Sequence, residues 1–293
     1  MNHTKNLSVA ALLSIGVLAF FPACTKNTNP TSPVHDTVTL VKNDTLYAPK
    51  PDSTVNLTRG LLLYLPFSGN IADSSGNGNP TQAVGGAVLT YDAHGYANSA
   101  FGSDGNGARV LVTNNGSIKF DSAYSISLDF MVFSISRQGY LSMVDPATGN
   151  GPSFMVGTNT PNVPDLDFGA NDISAGCDNA GGSDPDKVND TTNFIPQLNA
   201  WYNLVCTYHK DTLQVFVNGS LISTKTGPGS KANLCPASQI VVGGWWNSDP
   251  IPIDGKLDEV RLYNRVLNSH EIIQLSRNFQ ITSEGQKPAL HMR

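Results

Sequence analysis

Two stretches decide the fold. The first is Leu61-Leu62-Leu63-Tyr64-Leu65-Pro66-Phe67-Ser68-Gly69-Asn70-Ile71-Ala72-Asp73-Ser74-Ser75-Gly76-Asn77-Gly78-Asn79. The second is Ile253-Asp254-Gly255-Lys256-Leu257-Asp258-Glu259-Val260-Arg261-Leu262-Tyr263-Asn264-Arg265-Val266-Leu267. An apolar run stopped by an Asp/Gly/Asn-rich turn reads as an opening strand, and a Gly-led alternating run reads as a closing one. The reading requires Leu63 and Leu262 to lie on neighbouring strands of one compact body.

Between them the chain breaks into short alternating runs separated by turns, the pattern of an antiparallel sandwich. Strands are predicted at Ala87–Tyr91, Arg109–Thr113, Ser125–Ser134, Gly139–Val144, Ser153–Val156, Tyr202–His209, Thr212–Asn218, Ser220–Lys225, Ile240–Gly243 and Lys256–Tyr263. Asn218-Gly219 tolerates positive φ at both central positions and marks a tight hairpin. Ser269-His270-Glu271-Ile272-Ile273-Gln274-Leu275 has a possible Ser cap and apolar residues at helical spacing, so one short C-terminal helix is expected. The fold class is therefore all-β, an antiparallel β-sandwich with one helix. Charged residues make up 14% of the chain, and turn-forming Gly, Asn, Thr and Ser are plentiful. The net charge of -5 gives no reason to expect a nucleic-acid partner.

Several phrases carry a family resemblance, in order along the chain. They are Tyr96-Ala97-Asn98-Ser99-Ala100-Phe101 with Ser103-Asp104-Gly105, then Tyr124-Ser125-Ile126-Ser127-Leu128-Asp129-Phe130. Trp201-Tyr202-Asn203-Leu204-Val205 follows, with Thr207-Tyr208 and Val215-Phe216-Val217-Asn218-Gly219. From about Leu61 to Leu275 the chain resembles the laminin-G-like, concanavalin A-like lectin/glucanase jelly roll of bacterial surface proteins. That resemblance implies a domain that binds ligands, and in some branches catalyses. It also implies a structural calcium ion, with Asp73 and Asp258 as matching oxygen donors. The other reading is that Asp73 caps a turn and Asp258 sits on a solvated strand face.

The remaining chain reads as address and tether. Lys5 precedes an apolar run from Leu7 to Phe21, too short to span a bilayer and suited to a signal peptide over 1–23. Ala23-Cys24 resembles a lipobox, which implies lipidation of Cys24 and a bacterial envelope location, with an exported protein as the alternative. Residues 24–58 are rich in Thr, Pro and Asn and read as a stalk. The body is expected over 59–278, and 279–293 as a tail. Pro161–Pro196 reads as a long polar insertion. Cys177 and Cys235 are expected to pair and pin it, and Cys206 to pack as a small buried hydrophobe.

Trp245 and Trp246 follow a strand, so their side chains point to opposite faces and at most one joins the core. The other, with Asn247 and Asp249, would make a platform for a sugar. Tyr140 and Tyr202 are further aromatic candidates, and His209 reads as an exposed strand-end residue. Hydrolysis of glycans needs two facing carboxylates. The only glutamates are Glu259, Glu271 and Glu284, and none lies in a Glu-x-Asp-x-x-Glu motif. His270-Glu271 lacks the second His of a zinc helix. The expected function is non-catalytic recognition of a carbohydrate or protein ligand, with no catalytic residue assigned. The alternatives are a glycan-processing hydrolase using Asp165, Asp167 or Asp172, and a structural adhesion or scaffold domain.

Overall fold

The opening strand β1 (Leu61–Leu65) pairs antiparallel with the closing strand β15 (Asp254–Tyr263), and Leu63 stands opposite Leu262. This is the adjacency that the two quoted stretches require. The structure is a computed structural model that describes residues 54–120, 122–144, 154–158, 166–170, 188–227, 239–245 and 251–277.

Two antiparallel sheets enclose the core. The first holds β3 (Val88–Thr90), β4 (Ala100–Asp104), β6 (Ala123–Val132), β11 (Tyr202–His209), β12 (Thr212–Val217) and β13 (Ser220–Thr226) with β1 and β15. Its order is β13-β12-β11-β6-β15-β4-β3, and β1 extends along the second half of β15. The second holds β2 (Thr81–Val84), β5 (Arg109–Thr113), β7 (Gln138–Val144), β8 (Phe154–Thr158), β9 (Leu166–Ala170), β10 (Val188–Thr191) and β14 (Gln239–Val242). Its order is β10-β9-β8-β7-β14-β5-β2.

Alternation sets the faces. In β6, Tyr124, Ile126, Leu128, Phe130 and Val132 enter the core, as do Leu204, Cys206 and Tyr208 of β11. The intervening Ser125, Ser127 and Asp129 take the opposite, outer face of the first sheet. In β15 the core residues Leu257, Val260 and Leu262 break strict alternation. A bulge between Asp258 and Arg261, with Glu259 at φ +53°, restores the phase. It leaves Asp258 and Arg261 both on the outer face.

Asn218 and Gly219 have φ values of +49° and +78°, the turn expected from their sequence. The helix α1 (Ser269–Leu275) also forms where expected, but Asn268 caps it rather than Ser269. Asn268 accepts from the Glu271 N–H while the Glu271 carboxylate accepts from the Asn268 N–H, a reciprocal capping box. Val205, Tyr263, Leu267 and Ile272 form a small apolar cluster beneath the helix.

Three expectations change. The polar insertion contains strands, since β9 and β10 pair with each other and extend the second sheet. Strands β2 and β4 were not anticipated either. Residues 54–58, assigned above to the stalk, bond to the body: the Asn56 N–H donates to Glu271, and the Asn268 side chain donates to the Thr54 carbonyl. Among the described residues no helix is long and apolar enough to cross a membrane.

Candidate functional site

The outer face of the first sheet carries polar residues that the alternation of β6, β11 and β15 brings into register. Asp129 stands opposite Asp258 on one side and Asn203 on the other. The three are 6%, 7% and 2% exposed. The Asn203 amide donates to Asp129 Oδ1 at 2.8 Å, and Asp258 Oδ1 accepts the Glu259 N–H at 2.8 Å. Two buried oxygens nearby, Asn203 Oδ1 and Ser127 Oγ, have no hydrogen-bond partner among the described residues. Arg261 does not neutralise the two acids directly, because its guanidinium pairs with Glu259. Burial, then repulsion from Glu259, raises the Asp129 carboxyl to about 8. Burial, then the negative charges of Glu259, Asp129 and Asp92, raises Asp258 to about 9. This pair is thus protonated in part at neutral pH. It is also sealed, so it cannot reach a solvent-borne substrate.

The next row on the same face is open. Met131, Lys256, Gly102 and Val88 are aligned across β6, β15, β4 and β3. Here a groove of about 380 Å³ is lined by Gly102, Gly255, Phe133, Asp104, Asn106 and Lys256, among others. Glycine at 102, opposite Lys256, removes a side chain from the floor. Phe133 is 39% exposed and borders the groove. Lys256 Nζ donates to the Tyr91 carbonyl at 3.1 Å, which fixes the ammonium while two of its three N–H groups remain for a ligand. Asp104 is held by the backbone and side chain of Asn106 at 3.1 and 3.0 Å. An aromatic edge, an open floor, a carboxylate, an amide and an ammonium converge in one place.

The residues singled out in the sequence fare differently. Trp245 is fully buried on the far side of the second sheet. A Cβ on Gly139 would lie 2.2 Å from its ring, and one on Gly157 2.7 Å from its Nε1, so these two glycines make its berth. Arg137 covers the ring at 4.8 Å. Burial removes Trp245 from the exposed-platform role. Trp246, Asn247 and Asp249 lie outside the described residues, as do Cys24, Cys177, Cys235, Asp165 and Asp172; the side chain of Asp167 does as well. Tyr140 is buried in the core, and Tyr202 stacks on Phe130 at 5.5 Å. Cys206 is buried as expected.

Asp73 is a turn organiser. Its Oδ1 accepts from the N–H groups of Tyr64 and Ser75, and its Oδ2 from the Ser75 hydroxyl and from the backbone and side chain of Asn79. Burial opposes its ionisation, but these bonds outweigh it and hold the carboxyl below its usual range. Its lone pairs are engaged on the edge of β1, whereas Asp258 faces Asp129. Among the described residues no three His, Cys, Asp or Glu side chains are grouped to hold a metal. The pair Asp73 and Asp258 therefore does not fit the calcium ion that the resemblance implied, since a hard cation needs about six to eight oxygens around one point.

Phe133, Lys256 and Asp129 were not singled out from the sequence. A signal existed for two of them: Phe133 and Asp129 both fall out of phase with the core residues of β6. Lys256 carried no signal beyond its place on a strand.

The architecture is that of a two-sheet lectin-like sandwich. A profile of the Concanavalin A-like lectin/glucanases superfamily matches residues 104–273, more than half of the chain, and the protein belongs to that superfamily. Among solved structures it is similar to domain 4 of AbnA, a GH43 extracellular arabinanase from Geobacillus stearothermophilus, in complex with arabinotriose. That match has 18% identity and a TM-score of 0.53, over 74% of this chain and 98% of the other. The binding domain of botulinum neurotoxin DC in complex with SialylT aligns at 17% identity and TM-score 0.55, over 78% and 53%. The binding domain of Paraclostridial Mosquitocidal Protein 1 aligns at 18% identity and TM-score 0.56, over 75% and 52%. The chain thus spans about half of the toxin binding domains. At these identities the likeness is one of fold. No curated protein matches the chain.

Proposed function

We propose that this protein is a non-catalytic carbohydrate-binding module, displayed at a bacterial envelope, with the glycine-floored groove beside Phe133 as its site. The observation that carries this reading is the convergence of an exposed aromatic with Asp104, Asn106 and Lys256 around an open floor. Sugars present apolar C–H faces that pack on aromatic rings, and hydroxyls that need mixed donors and acceptors. Structures of similar fold in complex with arabinotriose and SialylT lend support. Fold alone does not transfer a ligand, so the argument rests on the groove.

The carboxylates of the hydrolase alternative, Asp165, Asp167 and Asp172, lie outside the described residues, so burial bears only on the acids of the first sheet. Asp129 and Asp258 face each other as a two-carboxylate mechanism requires, but they are closed to substrate. For the envelope address, the support is the basic start at Lys5, the apolar run and Ala23-Cys24. Labelled palmitate incorporated by the wild type and not by Cys24→Ser is the expected result, and equal labelling of both would refute the anchor.

The test of binding is a glycan array probed with the full chain, including arabino-oligosaccharides and sialylated glycans, in parallel with Phe133→Ala. The expected outcome is a restricted set of glycans bound by the wild type and lost, about tenfold or more, by the variant. No binding across the array, or release of reducing ends from a bound glycan, would overturn the proposal.

A further inference from the structure

The outer face of the first sheet has a second opening at its other end. After Tyr263 the chain leaves β15 and crosses the sheet. Ser125 Oγ donates to the Arg265 carbonyl at 2.8 Å and accepts the Leu267 N–H at 3.0 Å, which fixes the crossing. This segment and α1 cover Val205 and Tyr263. In the next rows Thr207 stands opposite Gln214, then His209 opposite Thr212, with Ala123 beside His209; Thr207 is buried, Gln214 and Thr212 are half-buried and His209 is exposed. They floor a groove of about 540 Å³ whose wall is Asn264, Arg265 and Val266.

The wall is rigid and electrically satisfied. All five N–H groups of Arg265 are used, on the carbonyls of Arg59, Asn56 and Val266 and on both oxygens of Glu271. Arg265 therefore offers a ligand no donor and, paired with buried Glu271, little net charge. What faces the groove is different in kind. The amides of Gln214 and Asn264, the His209 imidazole and the Thr207 hydroxyl have no hydrogen bond among the described residues. Ala123 and the threonine methyls supply a shallow apolar floor. Amides and hydroxyls both donate and accept, and no unpaired formal charge selects for an ion.

We infer that this groove is a second binding site, for a neutral, hydroxyl-rich ligand of one to two sugar rings. Its volume lies within the range of small-molecule sites, roughly 300–1,000 Å³. The preset wall lowers the ordering cost of binding. The site shares no residue with the Phe133 groove, so the two stand or fall separately. A module with both would engage a glycan at two points on one face, which raises avidity without new contacts.

The test is a nuclear magnetic resonance titration of the isotope-labelled full chain with cellotriose, maltotriose and laminaritriose. Each is taken to about 20 mM, far enough to saturate a site of millimolar affinity. The expected result is saturable shifts of the Gln214 and Asn264 side-chain amides with at least one of the three. Gln214→Ala should weaken that binding roughly tenfold, since a ligand hydroxyl loses its partner. Phe133→Ala, which keeps this groove intact, should leave the affinity unchanged. Absence of saturable shifts with all three sugars overturns the inference. So does binding that Gln214→Ala leaves untouched, or binding that Phe133→Ala removes. Dispersed spectra of both variants establish that each still folds.

Discussion

Asp258→Asn should stabilise the protein near neutral pH, which is unusual for a change in a buried polar cluster. Asp258 faces Asp129, and burial and like charge raise it to about 9 from 3.8. The folded state therefore binds a proton that the unfolded chain releases. Between about pH 4 and pH 8 the unfolded chain holds fewer protons, so this group's effect on stability worsens as pH rises. At 1.36 kcal/mol per pH unit, keeping the proton at pH 7 against an unfolded value of 3.8 costs at most about 4 kcal/mol. Asp129 shares the burden, and about 2 kcal/mol is a fair share for one member of a coupled pair. Asparagine keeps the shape and can still accept the Glu259 N–H. The expected rise in Tm at pH 7 is roughly 4–8 °C, for a domain of this size. At pH 4 the difference should nearly vanish. The assay is calorimetric melting of both proteins from pH 4 to 8, in EDTA. A variant that melts below wild type at pH 7, or a difference that does not depend on pH, refutes the reasoning. Destabilisation that appears only with added calcium would mean that a cation, not a proton, resolves the pair.

Glu271→Ala should cost about 3 kcal/mol in urea unfolding, because it unpairs half-buried Arg265 and uncaps α1. The Glu271 carboxyl is buried, which alone would raise it, but Arg265 and the N–H groups of Asn268 and Asn56 hold it lower. Its contribution is present above its unfolded value and fades as pH falls through its folded one, the reverse of Asp258. Asp73→Ala should cost about 2 kcal/mol by leaving the Tyr64 and Asn79 N–H groups unpaired, and calcium should not restore the loss, as melting with and without the ion would show. Gly157→Ala should displace Trp245, with a red-shifted emission and a lower Tm; unchanged fluorescence would mean that the berth is not as tight as 2.7 Å implies.

The sheet pairing was legible where apolar phase and turn chemistry agreed, as at Leu63 with Leu262 and at Asn218-Gly219. It was not legible in β4, where Ala100-Phe101-Gly102-Ser103-Asp104 offers one large apolar residue. β9 and β10 were hidden for a similar reason, since Leu166-Asp167-Phe168 is a short alternation flanked by Asp, Asn and Gly. Which of Trp245 and Trp246 is buried was not legible, because the berth of Trp245 is made by glycines on two other strands, β7 and β8, which local sequence cannot report. The site was half legible. Asp129 in β6 and Phe133 just past its end depart from the core phase and could have been flagged, one as part of a polar row and the other as an exposed aromatic. The floor glycine, Gly102, acquires meaning only once β4 lies beside β15 and places it opposite Lys256.

The central claim is that a sugar packs on Phe133 over that glycine floor. The direct measurement is the set of intermolecular Overhauser contacts between the full chain and the glycan selected on the array. Contacts from the Phe133 ring to sugar ring protons, lost in Phe133→Ala, are predicted. A bound glycan whose contacts fall on the second sheet, with none to Phe133, would contradict it.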